Sequence, residues 1–230
     1  MNVELESLRI SSAFEGIYDL PEAARYLSAS WQGPQLLPVS SAKMIGWIRK
    51  GVASQDLVEV GGRELLIGFE DLISMRVIAA LRAAHVSWPA IRQAEHWLRR
   101  ETGSERPFAT ETIWTGHRQV FIEWKKQLVS ASTSGQAAFD FLLEFLIPVH
   151  GLLFSEETHM ARSWEPSEGV VLEPAVQFGA PCIKGTRIPT RTVAGMIEAG
   201  DSLEYVARAF DQPIEAIEEA CEWERLLRAA

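Results

Sequence analysis

Two adjacent glycines, Gly61 and Gly62, separate two short runs of β-prone residues and constrain how the first half of the chain can fold. The two runs are Leu57–Val60 and Arg63–Ile67. A glycine pair at this position favours a tight two-residue turn, because glycine readily adopts the positive φ angles that such turns require. The sequence therefore predicts a β-hairpin over residues 57–67.

Two predicted helices precede this hairpin. The first covers Tyr18–Leu27 with Asp19 as its N-cap, and the second covers Ala42–Lys50 and is capped by Ser40 or Ser41. Two helices followed directly by a hairpin are the layout of a winged helix-turn-helix, in which the second helix enters the DNA major groove. The hairpin would be the wing.

Further elements are predicted along the rest of the chain. Apolar periodicity predicts helices at Phe69–Ala84, Trp88–Arg100, Gln136–Ile147, Thr190–Ala199, Leu203–Phe210 and Ile214–Leu227. Ser87 is the predicted cap of the second of these helices and Thr190 that of the fourth. Alternating residues predict a second hairpin over Thr112–Trp124 that turns at Gly116. Short strands are expected at Leu152–Phe154 and Val170–Leu172, with a loop around Pro166 between them.

These elements predict a fold that is mainly α with small β-hairpins. We expect an N-terminal winged helix-turn-helix over residues 1–105 and an α+β connecting segment over residues 106–168. A C-terminal three-helix domain, suited to dimerisation or docking, is expected over residues 169–230.

Charge is unevenly distributed along the chain, whose net charge is −9. Residues 40–51 contain three basic residues and no acid, whereas residues 192–230 contain three arginines and nine acids. Five arginines lie between Arg76 and Arg100, with Glu95 as the sole acid. Because salt screens charges beyond about 10 Å, local basic patches can bind phosphate on an acidic protein. DNA binding is therefore expected in the first half and not in the C-terminal helices.

The candidate DNA-contacting residues lie on the second helix and on the wing. They are Ser40, Ser41, Lys43, Arg49, Lys50 and Arg63. The two serines would contact phosphate at the start of the helix, and Arg63 would reach the backbone or the minor groove. The alternative is a solvated helix face. Trp47 is expected in the core, because it falls on the apolar side of the same helix.

Several other classes of site have little support in the sequence. The two cysteines, Cys182 and Cys221, and the five scattered histidines have no metal-ligand spacing. No nucleophile with a positioned base and no phosphate-binding loop is recognisable, so we expect neither catalysis nor a cofactor. The chain has no signal-peptide pattern and no apolar run long enough for a membrane span, and a reducing cytoplasm is expected.

Two segments resemble known families. Residues 18–100 resemble the MerR-like winged helix-turn-helix, through Pro21–Leu27, Trp47–Gly51 and Phe69–Leu72. The segment Phe178–Pro189, with its core Gly-Thr-Arg-Ile-Pro, resembles the domain of unknown function 433. The combination resembles antitoxins of the VapB kind, which implies a partner PIN-domain ribonuclease toxin and repression of the protein's own operon. The resemblance assigns no toxin-docking surface.

A dimer and two alternative functions complete these expectations. A small DNA-reading module usually needs a homodimer to contact two half-sites. One alternative is a MerR-like regulator with a ligand sensor in residues 107–230; the other is an interaction module that does not read DNA. Within the Gly-Thr-Arg-Ile-Pro segment, Arg187 is expected to be structural, bonding to carbonyl groups, rather than to bind a ligand.

Overall fold

The computed structural model describes residues 16–31, 39–51, 58–60, 64–114, 123–124, 126 and 151–230. Within these ranges the chain is mainly α-helical with two small antiparallel sheets, which confirms the predicted fold class. The predicted turn at Gly61 and Gly62, the part of the second hairpin at residues 115–122 and the predicted helix at residues 136–147 lie outside the described residues.

The N-terminal elements follow the predicted order of two helices and a hairpin. They are β1 (Tyr18–Asp19), α1 (Leu20–Ala29), α2 (Ser41–Arg49), β2 (Val58–Val60) and β3 (Glu64–Ile67). The predicted cap of α1 is confirmed, because the side chain of Asp19 accepts a hydrogen bond from the backbone N–H of Glu22 at 2.6 Å. Strand β3 pairs with both β1 and β2, so the hairpin is part of a three-stranded sheet.

Two longer helices follow, α3 (Phe69–Ala83) and α4 (Trp88–Thr102). Ser87 caps α4 as predicted, and its hydroxyl accepts a hydrogen bond from the backbone N–H of Ala90 at 3.4 Å. Helix α3 is buried on nearly all sides, which explains its almost continuous run of apolar residues.

The predicted second hairpin is wrong at its first arm. Residues Glu111–Trp114 form a helical turn, α5, which follows a 3-10 turn at Pro107–Ala109. Ile113 and Trp114 are both buried, and the indole of Trp114 donates a hydrogen bond to the carbonyl of Phe108 at 2.8 Å. A strand would place these neighbouring side chains on opposite faces, so burial of both favours the helical turn over local β-propensity.

A second sheet joins the connecting segment to the C-terminal half. Its strands are β4 (Leu152–Phe154), β5 (Ala161–Ser167), β6 (Val170–Leu172) and β7 (Cys182–Ile183), in that order. The predicted strands at 152–154 and 170–172 are confirmed, but the loop predicted around Pro166 is wrong, because Pro166 lies within β5. The pairing register of β5 shifts between Trp164 and Ser167, which accommodates a residue without an N–H group.

Three helices end the chain: α6 (Thr190–Glu198), α7 (Leu203–Phe210) and α8 (Ile214–Ala229). All three confirm the predicted helices, although Pro189 and not Thr190 occupies the cap position of α6. Helix α8 packs against α6 and also against α1, so the two halves of the chain share a core. In this core the rings of Tyr26 and Trp223 lie 6.1 Å apart.

Candidate nucleic-acid interface

Helix α2 is fixed to the protein by one face and presents its cations on the other. Met44 and Trp47 are buried, which confirms the core assignment of Trp47, while Lys43, Arg49 and Lys50 are exposed. Three residue positions separate Met44 from Trp47, which places both side chains on the same side of the helix. The positive charge is therefore directed away from the core.

The N-terminus of α2 is capped and accessible. The hydroxyl of Ser40 accepts a hydrogen bond from the backbone N–H of Lys43 at 3.3 Å, as predicted. Ser40 itself is exposed and Ser41 is partly exposed. The N–H groups at the start of a helix and the positive end of its dipole attract anions such as phosphate.

Arg49 and Lys50 keep their charges available. Neither side chain forms an ion pair with any residue in the described part of the chain. Lys50 instead places its Nζ atom 5.5 Å from the ring centre of Trp88, at the start of α4. This cation–π contact orients the lysine without neutralising it.

Trp88 brings a further cation to the same surface. The guanidinium of Arg82 lies 4.9 Å from the ring centre of Trp88 and donates a hydrogen bond to the carbonyl of Val86. The ring of Trp47, on the buried face of α2, lies 6.5 Å from the ring of Trp88. We call Lys50, Arg82 and Trp88 the tryptophan cluster. Arg82 and Trp88 were not predicted as candidate site residues, because no local pattern indicates that the start of α4 contacts the end of α2.

The arginine-rich stretch from Arg76 to Arg100 is less available than its composition indicates. The Nη1 atom of Arg76 is buried and, among the described residues, has no hydrogen-bond partner; its guanidinium lies 5.0 Å from the ring centre of Trp164. Desolvation lowers the pKa of Arg76 to about 10. Arg99 forms ion pairs with Glu95, at 2.6 Å, and with Glu105. In this stretch Arg92 and Arg100 are exposed, and Arg82 is partly buried.

Less of the predicted wing lies within the described residues. Strands β2 and β3 form the predicted antiparallel pair, with Glu59 opposite Leu65. The candidate Arg63 lies outside the described residues, so its proposed contact with DNA stays a prediction.

The C-terminal helices have the opposite electrostatic character. Arg225 and Arg228 form ion pairs with Glu222 and Glu198. Burial raises the pKa of the Glu219 carboxyl, and the neighbouring carboxylates, Glu168 first, raise it further. A surface on which carboxylates repel one another also repels the phosphate backbone of DNA.

The Gly-Thr-Arg-Ile-Pro segment forms a turn, but Arg187 does not make the hydrogen bonds that the sequence predicted. Gly185 has a φ angle of +76°, which favours glycine, and β7 precedes it. Arg187 is exposed, and among the described residues its guanidinium has no hydrogen-bond acceptor, so the predicted bonding to carbonyls is wrong. The peptide carbonyl of Arg187 instead accepts a hydrogen bond from the side-chain amide of Gln177 at 3.1 Å.

Neither a metal-binding group of side chains nor a membrane-spanning helix occurs among the described residues. In the described ranges, no three His, Cys, Asp or Glu side chains are grouped closely enough to hold a metal ion. None of the helices in the described residues is both long and apolar enough to cross a bilayer.

Comparisons with known proteins show the fold and one family segment. Residues 170–223 match the family described as "Protein of unknown function (DUF433)". The chain also resembles the crystal structure of Rv2018 from Mycobacterium tuberculosis, with a TM-score of 0.68 and 19% sequence identity. That similarity covers 88% of this chain and 95% of the other, and it shows a shared fold. No functionally curated protein matches the chain.

Proposed function

We propose that this protein binds DNA through α2 and acts as the antitoxin and autorepressor of a type II toxin–antitoxin system. The observation that carries the DNA-binding part is the exposed charge of Arg49 and Lys50, which no described residue neutralises, on a helix whose other face is buried. A solvated helix face of this kind is common, but here the helix is followed by an antiparallel hairpin in the order of a winged helix-turn-helix.

The proposed complex places α2 in the major groove. Lys43, Arg49 and Lys50 contact bases or phosphates, and the N-terminus of α2 at Ser40 and Ser41 faces a phosphate. Arg82 of the tryptophan cluster packs on the same Trp88 ring as Lys50 and adds a contact with the DNA backbone at the edge of the groove. Phosphate neutralisation by such cations supplies most of the non-specific affinity.

The antitoxin part rests on the resemblance of the chain to VapB-type proteins with a MerR-like half. It implies that the protein binds and neutralises a PIN-domain ribonuclease and that a homodimer represses the shared operon. The acidic C-terminal helices supply a surface for dimerisation or toxin docking rather than for DNA, because Arg225 and Arg228 are already paired.

Two experiments test the two parts separately. In a gel shift with the DNA upstream of the coding sequence, Arg49→Ala and Lys50→Ala should weaken binding, whereas Arg225→Ala, an arginine of α8, should not. Unchanged affinity in both α2 variants removes α2 from the interface.

Coexpression tests the antitoxin part. A PIN-domain toxin encoded beside this gene should stop growth when expressed alone, and the protein should restore growth and copurify with that toxin. If the protein does neither, the antitoxin assignment fails. DNA binding without toxin binding supports a transcription regulator instead.

A further inference from the structure

A cleft lies where α1 meets the C-terminal helices, and none of the candidate DNA-contacting residues lines it. It has a volume of about 430 Å³, which is within the range of small-molecule sites, and such sites often occur between domains. Its walls come from α1, from the start of α6 and from the end of α8. Its apolar part includes Tyr26, Pro181 and Leu227.

Two arginines on different walls of this cleft have no partner among the described residues. Arg25 of α1 and Arg191 of α6 are both exposed, and within the described ranges neither forms an ion pair or donates a hydrogen bond. The third arginine of the lining, Arg228, is already paired with Glu198. The cleft therefore contains two uncommitted guanidinium groups, and guanidinium is the side-chain group best suited to binding a carboxylate or phosphate.

The carboxylates of the cleft are held by hydroxyl groups and not by these arginines. Glu22 accepts a hydrogen bond from the hydroxyl of Tyr26 at 2.6 Å, and Glu224 accepts one from the hydroxyl of Thr190 at 2.5 Å. Both bonds use Oε1, and a carboxylate has further lone pairs on its second oxygen. The cleft thus offers cations to an anionic group and acceptors to hydrogen-bond donors.

We infer that this cleft binds a small hydroxylated organic anion. Its carboxylate or phosphate group pairs with Arg25 and Arg191, and its hydroxyl groups donate to Glu22 and Glu224. Because the ligand contacts α1 on one side and α6 and α8 on the other, it binds best when the two halves are docked. Mass action then makes the ligand stabilise the docked protein. This inference does not depend on DNA or toxin binding.

Calorimetric titration of the full-length protein with glycerol 3-phosphate and with glycerate tests the site, and no DNA is present. At least one of them should bind saturably below about 10 mM; the stronger of the two identifies the anionic group, and glycerol alone should not bind. Arg25→Gln and Arg191→Gln should each weaken that binding about tenfold. Arg162→Gln, which removes an exposed arginine of β5 outside the lining, should not.

Circular dichroism should show that all three variants remain folded, since each replaced side chain is exposed. The inference is overturned if neither compound binds, or if both cleft variants bind as tightly as the Arg162→Gln control. Loss of DNA binding would leave these results unchanged, so failure of the proposed function and failure of the site are distinguishable.

Discussion

The two ends of the molecule are both helical, but they differ in what surrounds their charges. On helix α2, Arg49 and Lys50 have no acidic partner in the described part of the chain, whereas the exposed Arg225 and Arg228 of α8 are paired with glutamates. Helix α2 also has one exposed face, while α8 packs on both α6 and α1. A helix-turn-helix outline therefore does not by itself indicate DNA binding, and the proposal for α2 rests on its unpaired cations together with the hairpin that follows it.

The largest expected effect tests whether α8 holds the two halves together. Trp223 is fully buried and lies beside Tyr26 of α1, so Trp223→Ala should lower the free energy of unfolding by about 3–5 kcal/mol. Chemical denaturation measures this decrease. The partly exposed Trp88 serves as the comparison, because Trp88→Ala should cost clearly less. Equal decreases would mean that α8 is not a central packing element.

The second prediction concerns high pH at the same joint. Burial, together with the charge of Glu22, raises the pKa of Tyr18 and of Tyr26 well above the ordinary value. The folded state therefore keeps both phenols protonated, so their contribution is fully present below about pH 10 and is lost as the pH rises further. Between about pH 9 and 11 the contribution of these two tyrosines to the free energy of unfolding should fall by about 3 kcal/mol.

Single variants identify the source of this alkaline destabilisation. Tyr26→Phe should remove about half of it. Tyr205→Phe, which changes a half-exposed tyrosine of α7, should leave the profile unchanged. If Tyr26→Phe retains the full alkaline destabilisation, the joint does not bury its tyrosines in solution.

A matched pair of caps separates folding from DNA binding. Ser40 and Ser202 cap α2 and α7 with nearly identical hydrogen bonds, at 3.3 and 3.2 Å. Replacing either by Ala should cost about 1 kcal/mol of stability. Only Ser40→Ala should also weaken DNA binding in a gel shift, because only its helix faces the proposed phosphate. Equal effects of the two variants on DNA binding would contradict the contrast between the two ends.

The smallest expected effect comes from the tryptophan cluster. Trp88→Leu removes the ring that orients Lys50 and Arg82 while retaining an apolar side chain. A cation–π contact of this exposure contributes about 0.5–1 kcal/mol, so affinity for DNA should fall about two- to fivefold. Fluorescence anisotropy with labelled DNA resolves a change of this size. Stronger binding by the variant would show that Trp88 obstructs the interface.

The sequence predicted the local features well. The caps Asp19, Ser40 and Ser87 follow from side chains next to the backbone groups that they satisfy, and the terminal helices follow from their apolar periodicity. These signals depend only on neighbouring residues, so the tertiary packing of the rest of the chain does not alter them.

The features that the sequence did not predict depend on distant partners. The turn at Glu111–Trp114 is helical because two neighbouring side chains are buried, and β5 continues through Pro166 because strands on both sides pair with it. Similarly, the local composition assigns Arg76 to a basic patch, but Trp164, far along the chain, covers its guanidinium. These partners are remote in sequence, so the neighbouring residues carry no pattern that would indicate them.

The salt dependence of DNA binding shows whether the cations of α2 contact phosphates. Affinity for the upstream DNA would be measured across a salt series for the wild type, for the Arg49→Gln, Lys50→Gln double variant, and for Arg208→Gln, Arg225→Gln as the C-terminal control. Removing one phosphate contact should reduce the slope of log affinity against log salt by about 0.9. We expect a weaker affinity and a shallower slope for the α2 variant alone. An unchanged slope and affinity in the α2 variant, or an equal change in the C-terminal control, would contradict it.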